Sequence, residues 1–461
     1  MKKAWQLELE TMQAARPVVL SEEEQGWSVC ERYDRMECHL NEMKWNSNVP
    51  GSGAEEHVIV AAMQDMENMG YDVSAAEALI EEGMEALERG DQARLALLTG
   101  RVFHLLSVAP RAEGHPYYRY PVYDSFEAIE RAASLPVYPY DAESEDFLRR
   151  THLGWQAQIC AGALGTAIEG YTTENITSVF GQIYGYPRTP NTMNDDITYE
   201  LAFLEAAKEK GGGLTAADVA EQWLALIPFG WSAEEVALKN LRLGIYPPES
   251  GYRNNPYREW IGAQMRGAVC GMVAPGNARE AARLAFLDGS VSHHNNGILG
   301  EIFNAVLVSL SYVLTDVDTL LKESIAAIPE NSEYASVLRF AMEQCDAHGD
   351  WLSAWKPCEK RYERYNWIHA YPNAAAEVVA LRFGRGDFEE TMHIIAQIGY
   401  DVDCNAAQIA TAIAVMNGVP VGEKWTAPIG DRLETYMRDR KEISIRAVAE
   451  QTAEVAKKLR Q

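Results

Sequence analysis

The chain has 461 residues, 47% of them hydrophobic and 23% charged, with 41 Lys and Arg against 67 Asp and Glu. That apolar content excludes a mostly disordered chain, and the net charge of −26 argues against a nucleic-acid partner, because phosphate binding needs a basic surface. The seven cysteines are scattered and form no Cys-x-x-Cys pair, which excludes a disulfide framework and suits a reducing compartment.

In chain order, the first segment meets Glu8 and Glu10 before any apolar run, unlike a signal peptide. Helical spacing follows over 75–88, 91–106 and 125–133, separated by Pro- and Tyr-rich connections. The connection at 136–140 is read as a boundary between a helical N-terminal extension (1–140) and a second domain (141–461). Beyond it, Ile197, Leu201, Leu204 and Lys208 share one helix, and Val219, Trp223, Leu224 and Ile227 another. Thr215-x-x-Asp218 and Ser232-x-x-Glu235 read as capping boxes. The run 302–314 is nearly all apolar, so it predicts a central helix; 374–383, 388–398 and 406–415 repeat the helical pattern. The segment 440–461 reads as a charged amphipathic surface helix. Strand-like alternation is scarce, so the expected fold class is all-α, a compact multi-helix bundle. The apolar stretches 159–168 and 302–314 are too short or too interrupted to span a bilayer, so a cytoplasmic protein with no membrane partner is expected.

Two helix starts carry paired acids: Asn194-Asp195-Asp196 and Asp401-Val402-Asp403-Cys404-Asn405. Such acids ordinarily cap helices, where they satisfy free N–H groups. If the two starts converge, they offer several hard oxygen ligands suited to Mg²⁺ or Mn²⁺, and a divalent ion would offset their repulsion. Glu169 follows the apolar stretch Gly162-Ala163-Leu164-Gly165. It is read either as an exposed terminus or as a carboxyl of raised pKa able to do acid–base work. His293-His294-Asn295-Asn296-Gly297 and His369 lack the spacing of a zinc site, and loop hydrogen bonding or substrate contact is the better reading.

In order, these segments resemble the ADP-ribosylglycohydrolase family. The likeness runs from about 151 to 418. It rests on Leu164-Gly165-x-x-x-Glu169-Gly170, Asn194-Asp195-Asp196, Gly262-Ala263-Gln264-Met265-Arg266-Gly267 and Asp288-x-x-x-Ser292-His293. Gly297-x-x-Gly300, His369-x-x-Pro372-Asn373-Ala374, Gly386-Asp387-Phe388 and Gly399-x-Asp401-x-Asp403-Cys404-Asn405 complete it. The resemblance implies an all-α hydrolase with two Mg²⁺ (Mn²⁺ in some members) that cleaves a glycosidic bond at C1″ of a ribose. The substrate it implies is an ADP-ribosylated protein or a nucleoside-like small molecule. By that resemblance the metal ligands are Asn194, Asp195, Asp196, Asp401 and Asp403, and the catalytic groups are Glu169, Asp196 and Asp403. His293, Asn296, Gly297, His369, Asn373 and Gly399 are expected to meet substrate. The sequence departs from the family pattern at Asn194 and Cys404, both Thr there, at Ile197, again Thr there, and at Gly162, Asp in many members. Two other readings share the composition: a metal-free helical-barrel carbohydrate glycosidase using a carboxylate pair, and a non-catalytic descendant that binds ADP-ribose or a nucleotide. The N-terminal extension is left to shape the cleft or to form the interface of a homo-oligomer.

Overall fold

The computed structural model describes residues 1–460. It is built of helices, with strand structure confined to three two-residue antiparallel pairs. Most elements match the sequence periodicity. Phe388–Ile398 forms as expected, and Ala370–Gly384 and Val402–Asn417 extend the expected stretches by a turn. The C-terminal expectation is corrected: 442–443 pairs as a strand with 433–434, and the helix is the shorter Ile445–Lys458. The Thr215–Asp218 capping box forms. The Ser232–Glu235 box does not: Trp231 is the cap residue, Ser232 takes a positive φ, and Glu235 pairs with Lys44 and Lys239.

Two contacts place the site. The Glu145–Gly165 helix runs antiparallel to Val402–Asn417, because small residues let the backbones close. A Cβ on Gly154 would sit 2.9 Å from Val415 Cγ2, and one on Gly162 would lie 3.9 Å from Ala407 Cβ. At Gly165 a Cβ would overlap the backbone of Asp403, so only glycine fits there. The end of one helix is thereby pressed onto the start of the other. Behind them Asn296–Ser311 is buried along its whole length, which explains why it is mostly apolar on every side. Gly267 and Gly271 admit the next helix against it.

A second, smaller core holds Trp45, Val58, Ile59, Met63, Leu98 and Val102, and borrows Ala233, Tyr257 and Trp260 from the rest of the chain. Trp45 Nε1 donates to Thr99 Oγ1 (2.9 Å). Tyr123, Phe126, Ile129 and Ala142 already belong to the larger core. The two cores therefore part between Leu106 and Tyr123, ahead of the 140/141 division read from the Pro-rich connection. The Ala4–Ala14 helix buries no side chain. Among the described residues no helix is long and apolar enough to cross a membrane.

Candidate functional site

The antiparallel pair of helices brings Glu169 beside Asp401 and Asp403. Thr166–Gly170 forms the turn after Gly165, and Gly170 N–H donates to Tyr400 O (2.9 Å). Tyr171 and Thr172 then pair with Tyr400 and Gly399. Tyr400 is held at φ +65, an unusual conformation for a side-chain-bearing residue, and it aims the next residue, Asp401, toward the cluster. A third helix start arrives with Asp195–Lys210. Asn194 caps it, its Oδ1 accepting from Asp196 N–H (2.7 Å), while its Nδ2 donates to Asp403 Oδ2 (3.1 Å). Acids more than 200 positions apart therefore meet.

The electrostatics of this meeting are unfavourable as it stands. Asp196, Asp401 and Asp403 are at most 4% exposed. Asp195 is the exposed member. The charges that act most strongly on these groups are one another's. Burial, then Asp403, pushes the Glu169, Asp196 and Asp401 carboxyls well above the usual range, and the Asp403 charge raises the exposed Asp195 as well. Asp196 Oδ2 and Asp403 Oδ1 are buried without hydrogen-bond partners. The Cys404 thiol donates to the other Asp196 oxygen, Oδ1 (3.3 Å). Buried acids facing one another, with oxygens to spare, form a cation-binding donor set.

A model of the ADP-ribosylglycohydrolase family matches residues 143–458. The chain belongs to the ADP-ribosylglycohydrolase family. A similar relative is a protein of Archaeoglobus fulgidus (strain ATCC 49558) that carries only the name "Uncharacterized protein", 24% identical over 283 residues, which covers 59% of this chain and 88% of the relative. Among solved structures, one named "ADP-ribosylglycohydrolase-related protein complex" superposes with a TM-score of 0.50 at 18% identity, covering 69% of this chain and all of its own. That likeness is one of fold.

The residues expected to meet substrate are each engaged by the chain's own groups. Asn373 spends its whole amide: Nδ2 donates to Trp367 O (2.7 Å) and His369 O (2.9 Å), and Oδ1 accepts from Asp401 N–H (3.2 Å) and Asn405 Nδ2 (2.7 Å). It positions Asp401. His369 caps the Ala370–Gly384 helix through Nδ1, which accepts from Tyr371 N–H (3.1 Å). Its Nε2 therefore carries the hydrogen and faces Asp65 Oδ1 at 3.2 Å, tying the smaller core to the larger. His293 is 1% exposed. Ser292 Oγ accepts from Arg266 Nη2 (3.0 Å) and shares a hydrogen bond with His293 Nδ1 (2.7 Å). Asn296 is bound to Glu259 Oε2 (3.0 Å) and Tyr334 N–H (3.2 Å). Gly297 lets the chain pass 2.5 Å from Arg258 O at its missing Cβ, and Gly399, at φ +84, does the same beside Tyr171 O. Asn194 also changes role, since its amide oxygen is a helix cap and not a free ligand atom.

Sequence reading missed Glu234. Its carboxyl lies 3.2 Å from Arg266 Nη1. Burial raises it to about 7, Arg266 pulls it down, and Asp195 pushes it up, so it stands between the acid cluster and the buried arginine. The only sequence signal was its place beside an apparent capping box, which pointed to Glu235 instead.

Proposed function

We propose that the chain is a divalent-metal-dependent hydrolase of a glycosidic bond to ribose, in an ADP-ribosylated or nucleoside-like substrate. The observation that carries this reading is the convergence of Glu169, Asp195, Asp196, Asp401 and Asp403 with two buried carboxylate oxygens unpartnered. Asp195, Asp196, Asp401 and Asp403 fit a divalent ion and would hold it. Bound there, such an ion supplies Lewis-acid polarisation of oxygen ligands and offsets the acids' repulsion.

The chain's own residues do the rest. Asp195, the exposed acid of the cluster, receives the ribose hydroxyls. Glu169, buried beside Asp403 and Asp401, is placed for acid–base work on the departing group. Asp403 and Asp196 then orient and deprotonate the attacking water, and the local negative charge favours the oxocarbenium-like state at C1″. Asn373 and Asn194 keep Asp401 and Asp403 in place throughout.

The test is hydrolysis of a panel of ADP-ribosyl conjugates and nucleosides with Mg²⁺ or Mn²⁺ and with chelator, alongside metal content. Chelator-sensitive release of free ribose or ADP-ribose is expected. Asp195→Ala and Asp403→Ala should each lose at least one ion and most activity. A full metal load in both variants would reduce these acids to helix caps. Tight ADP-ribose binding without turnover would make the protein a binder, and chelator-insensitive cleavage of an oligosaccharide would make it a metal-free glycosidase.

A further inference from the structure

Cys404 stands in the first turn of Val402–Asn417, where the family pattern has Thr. Its Sγ and one carboxylate oxygen each from Asp401 and Asp403 lie within 4.8 Å of one another. Asp196 Oδ1 is 3.3 Å from the same sulfur. Donor atoms sharing one four-coordinate ion, each at about 2.0–2.3 Å from it, lie roughly 3–4 Å apart. The cysteine could instead be a small buried filler whose thiol satisfies Asp196. That accounts for the 3.3 Å contact. It leaves Asp196 Oδ2 and Asp403 Oδ1 buried and unpartnered beside it. Met265 Sδ, 3.9 Å behind the cysteine, makes the far wall sulfur and not water.

Resting on the divalent-metal reading above, we propose that Cys404 is itself a ligand, as a thiolate, and that the site therefore selects a borderline-soft ion of the Zn²⁺ or Co²⁺ kind over Mg²⁺. Thiolates favour such metals, whereas a hydroxyl and carboxylates alone favour Mg²⁺. The step is an exchange without oxidation. The sulfur–metal bond would form as the S–H bond breaks, the thiol proton being released to solvent as the ion enters. The same donors explain how a chain that lacks the family's Thr at 194 and 404 keeps an ion: Asn194 gives up its ligand role to brace Asp403, and the sulfur takes the vacated share.

The full-length chain, stripped of metal, is titrated with Co²⁺ while its electronic spectrum is recorded, and is then equilibrated with equal Zn²⁺ and Mg²⁺ and its metal content measured. A near-ultraviolet sulfur-to-cobalt band and retention of zinc over magnesium are expected. The band should survive replacement of Cys30 and Cys38, the two cysteines outside the buried set. Cys404→Thr should abolish it, weaken zinc by at least about tenfold, and keep magnesium binding. Cobalt bound without the band, or a band that persists in Cys404→Thr, overturns the thiolate ligand and leaves the metal-dependent reading standing. A wild-type chain that takes up no divalent ion overturns both. Should Cys404→Thr fail to fold, the spectrum of the Cys30→Ser, Cys38→Ser variant decides alone.

Discussion

Two buried acid clusters lie side by side in this protein and are neutralised in opposite ways. Around Arg266, which is 1% exposed, a guanidinium faces three carboxyls, with Asp288 Oδ1 and Glu301 Oε2 left without hydrogen-bond partners. Its Nε pairs with Asp288, and Nη1 reaches Glu234 Oε1 (3.2 Å) and Gly262 O (2.6 Å). Glu301 Oε2 stands 4.0 Å away, and the guanidinium lies 4.9 Å from the Trp223 ring. Around Asp403 no such cation enters the hydrogen-bond network, and an amide and a thiol are the chain's nearest offerings. A cluster that carries its own guanidinium is framework; one that leaves acids facing one another is built for something from outside. The sharpest way to break this contrast is Arg266→Met. It strands Asp288 and Glu234, so unfolding stability should fall by about 3–5 kcal/mol. Added divalent ion should not restore it, as urea unfolding with and without Mn²⁺ would record.

The converse applies to Asp403→Asn. Removing one acid from the other cluster should leave metal-free stability unchanged or raised. What should vanish is the stabilisation the wild type gains from metal, about 2.7 kcal/mol at a hundredfold excess of ion over Kd. Thermal unfolding across a metal titration measures it. An equal metal-dependent rise in both proteins would place the ion elsewhere.

Much of this contrast was legible beforehand. The helix starts at 194–196 and 401–405 announce themselves as acids in capping positions, and helical period locates the elements that carry them. What sequence spacing does not encode is which polar groups are spent. Asn373 reads as a residue free to touch substrate until its four hydrogen bonds are counted. His293 lies in a polar, Gly-ended segment, yet it is buried, with Nδ1 on Ser292 Oγ and Nε2 without a partner. Glu234 was invisible because its partner, Arg266, comes from a different helix at no fixed offset. Gly399 and Gly297 look like glycines of a ligand loop but are needed where backbone passes backbone.

A third buried acid sharpens the comparison by titration. Glu377 is raised to about 8 by burial, although Asn304 and Gln264 donate to it and pull it down. It is an isolated acid with neither a guanidinium nor an acidic neighbour among those partners. Its folded pKa lies above its unfolded one, so the native state keeps a proton that the unfolded chain releases. Stability is therefore greatest below about pH 4.5 and is lost as pH climbs toward about 8. Between pH 6 and 7 this group should cost about 1.4 kcal/mol. Glu377→Gln should flatten that slope in urea melts; an unchanged slope would assign the pH dependence to the acid clusters.

The smallest effects separate two helix caps that look alike in sequence. Thr215 caps Ala216–Leu226 on an exposed edge: its Oγ1 accepts from Asp218 N–H, and its own N–H donates back to Asp218 Oδ2. Thr215→Ala should cost about 1 kcal/mol and leave metal content untouched. Asn194 also caps a helix, but its second arm holds Asp403. Thr can cap as well as Asn within a few tenths of a kcal/mol, yet it has no second arm to reach a carboxylate as a donor amide. Asn194→Thr should therefore change stability less than Thr215→Ala does, while shifting metal affinity, because Asp403 loses its brace and a hydroxyl oxygen becomes available beside it. If metal affinity stays fixed while stability drops, Asn194 is a cap of the same kind as Thr215, and the bond to Asp403 carries no function.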